Sequence, residues 1–255
     1  MIALDQIAES LIPYLWAFLR IAALWMAMPV FGSGVLAGRI RLVLAVACTV
    51  VIAPLMPPLN LPAVWGAAWW LAVLQEIALG VLMAFTLALV FEMVRLSAEI
   101  IGLGMGLGFA QMTDPLNGSS APVLGQYFSI LAILLFLAGG GHIQIIQWIS
   151  LSLIHQPPGL LMLEMGQIFA PVAWAALVFA GALQIALPAI IALLLVNLAF
   201  GVISRAAPAL NLFAIGFPAS LMLGLVLVLL SLPALQRLFT SAITDAFLRL
   251  SQTYG

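Results

Sequence analysis

Glu92, Arg95 and Glu99 stand three and four residues apart in Glu92-Met-Val-Arg95-Leu-Ser-Ala-Glu99, so on a helix all three charges share one face. In a chain this apolar they should pair with one another. Two roles stay open for them. One is a self-neutralised cluster at a helix end. The other is the polar lining of a pore or a partner interface, since charge at membrane depth is expensive and faces protein or water. Gln75 and Glu76 form a second, weaker site of the same kind.

The most unusual stretch follows. Gly102, Gly104, Gly106 and Gly108 alternate with large apolar residues and lead through Phe109 and Met112 to Pro115, Asn117-Gly118 and Pro122. The dinucleotide pattern G-x-G-x-x-G is not met, because Leu107 and Phe109 occupy the places of its third glycine and no strand precedes it. One reading is helix packing: Gly102 with Gly106, and Gly104 with Gly108, are small residues four apart that let helices approach closely. The other is a deformable gate element, since glycine lowers the cost of leaving a helix and the stretch ends in turn formers. Met105 and Phe109 share a side in a helix and in an extended chain; Met112 joins them only in a helix. Adaptable methionine beside a broad aromatic could close a pore around irregular cargo and still yield.

Catalytic patterns are missing. His142 and His155 lack a second-histidine motif and a carboxylate at metal spacing, and each reads as a loop or helix-end residue. Gly32-Ser33-Gly34 lacks the G-x-S-x-G framing of a nucleophile elbow. Asn117-Gly118-Ser119 matches a glycosylation acceptor, which a turn explains equally well. Cys48, the single cysteine, lies in an apolar run and reads as a small buried hydrophobe. No enzyme, cofactor or metal is expected. Nor is nucleic acid, because the seven basic residues, all arginine, are scattered singly.

The elements that must position these residues are membrane-like. Of 255 residues, 66% are hydrophobic and 6% charged, against about a quarter charged in a soluble domain. The amino terminus carries acidic residues where a secretory signal would be basic, so no cleaved signal is expected. A bilayer core takes roughly 20 apolar residues as a helix, and backbone satisfaction in lipid favours helices over strands. Candidate segments are residues 11 to 31, 40 to 56, 64 to 91, 122 to 153 with an interruption at Gly139-Gly140-Gly141, 168 to 204, and 209 to 235. Short turn-rich loops fall at 56 to 62, 114 to 122 and 155 to 159, leaving no room for an extramembrane domain. Arginine placement puts Arg39, Arg41 and Arg95 on one side, but a single span over 209 to 235 puts Arg205 and Arg237 on opposite sides. Residues 168 to 204 would form a helix roughly 55 Å long, well beyond a bilayer unless bent at Pro188. Two readings remain: kinked lipid-facing helices, or helices packed mainly against other protein.

The chain resembles the FliR family of the flagellar type III export apparatus, which is shared with virulence secretion systems. The resemblance rests on Met28-Pro-Val-Phe-Gly32, Arg39-Ile-Arg41-Leu-Val-Leu-Ala45, Glu99-Ile-Ile-Gly102-Leu-Gly-Met-Gly-Leu-Gly-Phe109 running into Asp114-Pro115, and Gly141-His142. Most specific is Arg205-Ala-Ala-Pro208-Ala-Leu-Asn211-Leu-Phe-Ala-Ile-Gly216-Phe-Pro218. The wording of this last block looks more flagellar than virulence-type. The resemblance implies an all-α subunit of the bacterial inner membrane and flagellar basal body, partly projecting to the periplasmic side. It implies one copy of this chain with several copies each of FliP and FliQ, and contacts to FlhB, to membrane lipid and to unfolded export substrates. It implies a FliP-like part over residues 1 to 160, a FliQ-like hairpin over 161 to 255, and a pore plug over about 102 to 122. Residues 168 to 204 and 209 to 250 would be one long hairpin turning around Arg205 to Asn211, with Arg205, Pro208 and Asn211 a possible interface. Gly104 stands where the family pattern carries a longer polar residue, which implies a looser plug or one more dependent on its neighbours. Outside the resemblance, two other classes fit the residues. One is a solute transporter with its site at Glu76 or at Glu92, Arg95 and Glu99, although no internal repeat supports it. The other is a scaffold needed for assembly but not lining a pore.

Overall fold

The computed structural model describes residues 4–32, 37–59, 61–62, 65–108, 123–159, 164–206 and 212–254. Their regular structure is helical throughout: α1 (Leu4–Ala27), a short α2 (Pro29–Gly32), α3 (Gly38–Ile52) with a 3-10 turn at Ala53–Leu55, and α4 (Ala67–Gly104). Then follow α5 (Val123–Ala138), α6 (Gly141–His155), α7 (Met165–Trp174), α8 (Ala176–Ala206) and α9 (Leu212–Tyr254). Four described helices are long and apolar enough to cross a membrane, or up to five if the broken pair α5 and α6 makes one span. The chain is therefore an all-α polytopic membrane protein.

The bounds of α4 and α9 differ from the hydropathy reading, each for a physical reason. α4 does not stop near residue 91 but carries Glu92, Arg95 and Glu99 inside it and ends at Gly104. The cluster is thus not at a helix end: its charges pair along one face and cost the helix no backbone hydrogen bond. α9 runs 43 residues, through Pro218, Pro233 and Arg237, because polarity interrupts hydropathy and not helix formation. Arg205 and Arg237 consequently do not bound one span. α8 runs through Pro188 without interruption, and residues 165–205 form one apolar span of 41 residues, on the order of 60 Å long.

Local signals set the ends. Gly140 takes a left-handed φ of +69° between α5 and α6, a conformation that a side chain resists. Glu164 caps α7 in a capping box with Gln167, whose side-chain oxygen accepts the Glu164 backbone N–H at 3.2 Å, satisfying otherwise orphaned donors of the first turn. Arg205 lies in the last turn of α8, where a cation suits the helix dipole.

Contacts divide the chain into two compact units: residues 1–89, 137–175 and 243–255 form the first, 90–136 and 176–242 the second. In the first, Trp16, Trp69 and Ala72 make a buried cluster, with the two indoles edge to face at 4.9 Å between ring centroids. Tyr254 donates its hydroxyl hydrogen to the Gln167 carbonyl at 2.7 Å, and Arg249 lies over the Trp174 ring at 5.6 Å, so the end of α9 is held along α7. In the second unit, Phe91 meets Phe136 and Phe239, each at 5.5 Å between ring centroids. Ser220 of α9 donates to Asn197 of α8 at 3.0 Å, and Gly216 faces Phe200; this order of contacts makes α8 and α9 an antiparallel hairpin.

Candidate functional site

The glycine-rich stretch splits at Gly106. Gly102 and Gly104 are helical, whereas Gly106 has φ +82°. Around it the Leu107 N–H donates to the Gly102 carbonyl and the Gly106 N–H to the Leu103 carbonyl, both at 3.0 Å. This pair of bonds is a Schellman closure, which ends a helix by a single left-handed residue and favours glycine there. The spacing-of-four packing face is therefore not formed as expected, because Gly106 and Gly108 lie beyond the helix. A β-carbon at Gly102 would meet Leu107 and Leu124, one at Gly108 would meet Leu103 at 3.0 Å, and one at Gly104 would meet Leu193 of α8 at 3.2 Å. Met105, between them, is 1% exposed. Its side chain fills the space over Gly224 of α9, with Sδ and Cε each 2.7 Å from where a β-carbon would stand. Phe109, Met112 and Pro115 lie outside the described residues, as do Pro208 and Asn211. Arg205 is exposed.

The charged cluster forms as its spacing requires. Arg95 donates through Nε to Glu92 and through Nη1 to Glu99, both at 2.8 Å. The side chains are 47%, 47% and 27% exposed for Arg95, Glu92 and Glu99. Gly125 of α5 lies against the stems of Arg95 and Glu99, where a β-carbon would be 3.7 and 3.5 Å from them. Two carboxylates and one guanidinium leave one negative charge over on an outward face of a membrane-length helix.

Sequence reasoning undervalued the strongest polar site. Glu76 was legible as a lesser candidate, and Arg20 only as one of the seven scattered arginines. The structure joins them. Arg20 Nε donates to one Glu76 oxygen at 2.7 Å and Nη2 to the other at 3.1 Å. The remaining donors reach Ser152 Oγ and the Ser152 and Gln156 carbonyls at 3.0 to 3.1 Å. All five guanidinium N–H groups are thus used, both charged side chains are 1% exposed, and the last turn of α6 is capped by a cation. With both oxygens taken and the pair sealed, Glu76 presents no open site to a solute. A signal was available: Gly80 lies one turn from Glu76, and a β-carbon on it would strike the backbone of α1 at Arg20 and Leu24. Glycine one turn from Glu76 thus marks a close helix crossing beside the acid, but it does not name the cation that meets it.

The arrangement holds a fixed crossing in one unit and a closed, glycine-terminated helix end in the other. Very little of the hairpin is covered by the chain itself: 22% of the most apolar window within residues 165–205 is buried and 28% of that within 216–254, against 61% for α4. Phe179, Leu194, Leu195 and Leu198 on α8 and Met222, Leu229 and Leu230 on α9 are all more than half exposed.

The family model described as bacterial export proteins, family 1, matches residues 11–246. The flagellar biosynthetic protein FliR of Escherichia coli K12 is 38% identical over 220 residues, covering 86% of this chain and 84% of that protein. The protein of the same name from Pectobacterium carotovorum is 36% identical with the same coverage. That from Aquifex aeolicus is 28% identical over 94% of this chain and 92% of its own length. The residue blocks quoted above and these full-length matches agree, and the chain belongs to the FliR family of flagellar biosynthetic proteins, within bacterial export proteins, family 1.

Proposed function

We propose that this chain is a non-enzymatic core subunit of the flagellar type III export gate, present once among several copies of FliP and FliQ. In this reading it helps to form the inner-membrane channel through which unfolded flagellar proteins leave the cytoplasm, closes it with residues 102 to 122, and is required for flagellum assembly. The observation that carries this reading is the uncovered hairpin. Spans of 41 and 39 residues reach on the order of 60 Å, about twice the hydrocarbon core of a bilayer. Lipid can cover only part of such an apolar face, so other protein must cover the rest. On this reading the FliQ-like part, residues 161 to 255, supplies that face and projects partly to the periplasmic side, while FlhB meets the cytoplasmic mouth near Arg205. The FliP-like part, residues 1 to 160, carries the plug. Export is powered elsewhere in the machine, since the residues here supply packing and closure.

The test is native mass spectrometry after co-expression with the FliP and FliQ genes of the same organism, followed by ion-leak measurements on the complex in proteoliposomes. One copy of this chain in a defined hetero-oligomer, and a raised leak when Met105 and Phe109 are both replaced by alanine, are the expected results. A chain that stays monomeric or homodimeric under co-expression removes the partner reading. An assembled double variant with the parental leak and normal export removes the plug.

A further inference from the structure

We propose that Gly224 on α9 is the receptor that holds the end of α4 closed, with Met105 as the latch that occupies it and Gly106 as the hinge behind the latch. The inference rests on the gate reading and gives its closed state a specific contact. Met105 is the residue immediately before the left-handed Gly106, so whatever holds Met105 fixes where the chain leaves α4. It is buried, and its Cγ, Sδ and Cε all crowd the position that a side chain at residue 224 would need. Glycine is required there by the occupant and not by its own backbone, which is helical. Gly104 adds the second jaw: a β-carbon there would lie 3.2 Å from Leu193 Cδ1 of α8, which would have to give by a few tenths of an ångström. The end of α4 is therefore bracketed by both arms of the hairpin.

The chemistry of the contact suits a latch. A thioether over a bare backbone is held by dispersion and shape, without a hydrogen bond or charge that would need a new partner on release. An unbranched side chain leaves and re-enters such a seat by rotation of its own bonds. Opening then consists of Met105 leaving Gly224 while the chain pivots at Gly106, and the seat remains empty because glycine has no side chain with which to fill it.

Two experiments on the complex with FliP and FliQ decide the matter. In the first, Gly224→Leu fills the seat, and the swap Met105→Gly with Gly224→Met supplies the same thioether from the other side. The single variant should leak ions at least several-fold above the parent at unchanged subunit stoichiometry, and the swap should return most of the closure. A leak at the parental level in an assembled Gly224→Leu complex overturns the latch, as does a swap that leaks like the single variant. In the second, which does not depend on Gly224→Leu assembling, Met105→Cys and Gly224→Cys are combined in a Cys48→Ser chain. The Met105 Cγ, one bond from its β-carbon, lies against the place of a β-carbon at 224, which puts the two positions in reach of a disulfide, whose β-carbons stand about 3.5–4.5 Å apart. Oxidation with copper phenanthroline should arrest export and reduction should restore it; export that continues through the cross-linked chain overturns the proposal. Leak from the Met105 and Phe109 double alanine variant without leak from Gly224→Leu removes the latch alone. Absence of leak from both removes the plug and the latch with it.

Discussion

At Gly80 the first unit brings backbone against backbone, because a β-carbon there would lie 2.8 Å from Ala23 Cβ and 3.0 Å from the Leu24 nitrogen, and closer still to the Arg20 carbonyl. At Gly181 and Gly224 the second unit brings methionine side chains against backbone, Met93 over the first and Met105 over the second. Both solutions let apolar helices approach without bulky interdigitation, which is how helices associate where water supplies no hydrophobic drive between them. They differ in what happens under load. The Gly80 crossing is locked one turn away by the buried Arg20 and Glu76 pair, and nothing in it can rotate aside. Each methionine contact can be vacated by side-chain rotation alone. The same small residue thus serves a fixed scaffold in one unit and a yielding contact in the other.

The sharpest way to break this comparison is to remove the lock. Arg20→Ala strands a sealed carboxylate, removes the guanidinium donor from the Gln156 carbonyl, and leaves the Ser152 carbonyl with the Gln156 backbone N–H alone. The expected loss is about 3–5 kcal/mol, typical of breaking one side of a buried pair. Glu76→Ala should cost a similar amount. Replacing both by apolar residues of similar volume, Arg20→Met with Glu76→Leu, should recover most of it, since no charge is then left unpaired. Thermal unfolding in detergent reads all three. If the double replacement is no more stable than the singles, the pair is not the lock described here.

A smaller effect separates the two kinds of glycine. Gly80→Ala forces a methyl against immovable backbone and should cost on the order of 1–3 kcal/mol of overpacking. Gly181→Ala only asks the Met93 thioether to turn, while alanine gains up to about 1 kcal/mol of helix propensity over glycine. It should therefore be close to neutral. The same unfolding measurement checks the order. Equal destabilisation by the two substitutions would mean that the methionine seats are as rigid as the backbone crossing.

How much of this was legible beforehand depended on range along the chain. Periodicity and length placed α3 and most of α8, and they raised the length conflict at residues 168 to 204 that α8 then bore out by staying unbroken through Pro188. They ended α4 and α9 early, because Glu92 and Arg237 interrupt hydropathy without interrupting a helix. The triad of Glu92, Arg95 and Glu99 was readable because its members lie within two turns. Arg20 with Glu76 was not, since 56 residues separate them and no local pattern encodes their meeting. The alternating glycines drew attention as a set, yet their separate tasks come from tertiary neighbours: Gly102 beside Leu124, Gly104 beside Leu193, and Gly106 alone at a positive φ. Met105 was legible as a residue of interest, but its occupancy of Gly224 was not, for the same reason of sequence distance.

The smallest expected effect on stability is also the one that best separates folding from assembly. Arg95 bridges Glu92 and Glu99 on a face that is close to half exposed, and exposed pairs contribute only about 0.2–1 kcal/mol each. Arg95→Ala, or Glu92→Gln with Glu99→Gln, should therefore barely move the unfolding midpoint of the isolated chain. If this outward charge meets a partner subunit, the same variants should lower the yield of the hetero-oligomer recovered after co-expression with FliP and FliQ. The surplus carboxylate makes the two variants distinguishable. Losing Arg95 raises the net negative charge of the face, whereas losing both carboxylates leaves an unpaired cation there, so a cationic partner group should tolerate the first better than the second. An isolated-chain destabilisation as large as that of Arg20→Ala would place the triad with the lock, as part of the fold and not of an interface.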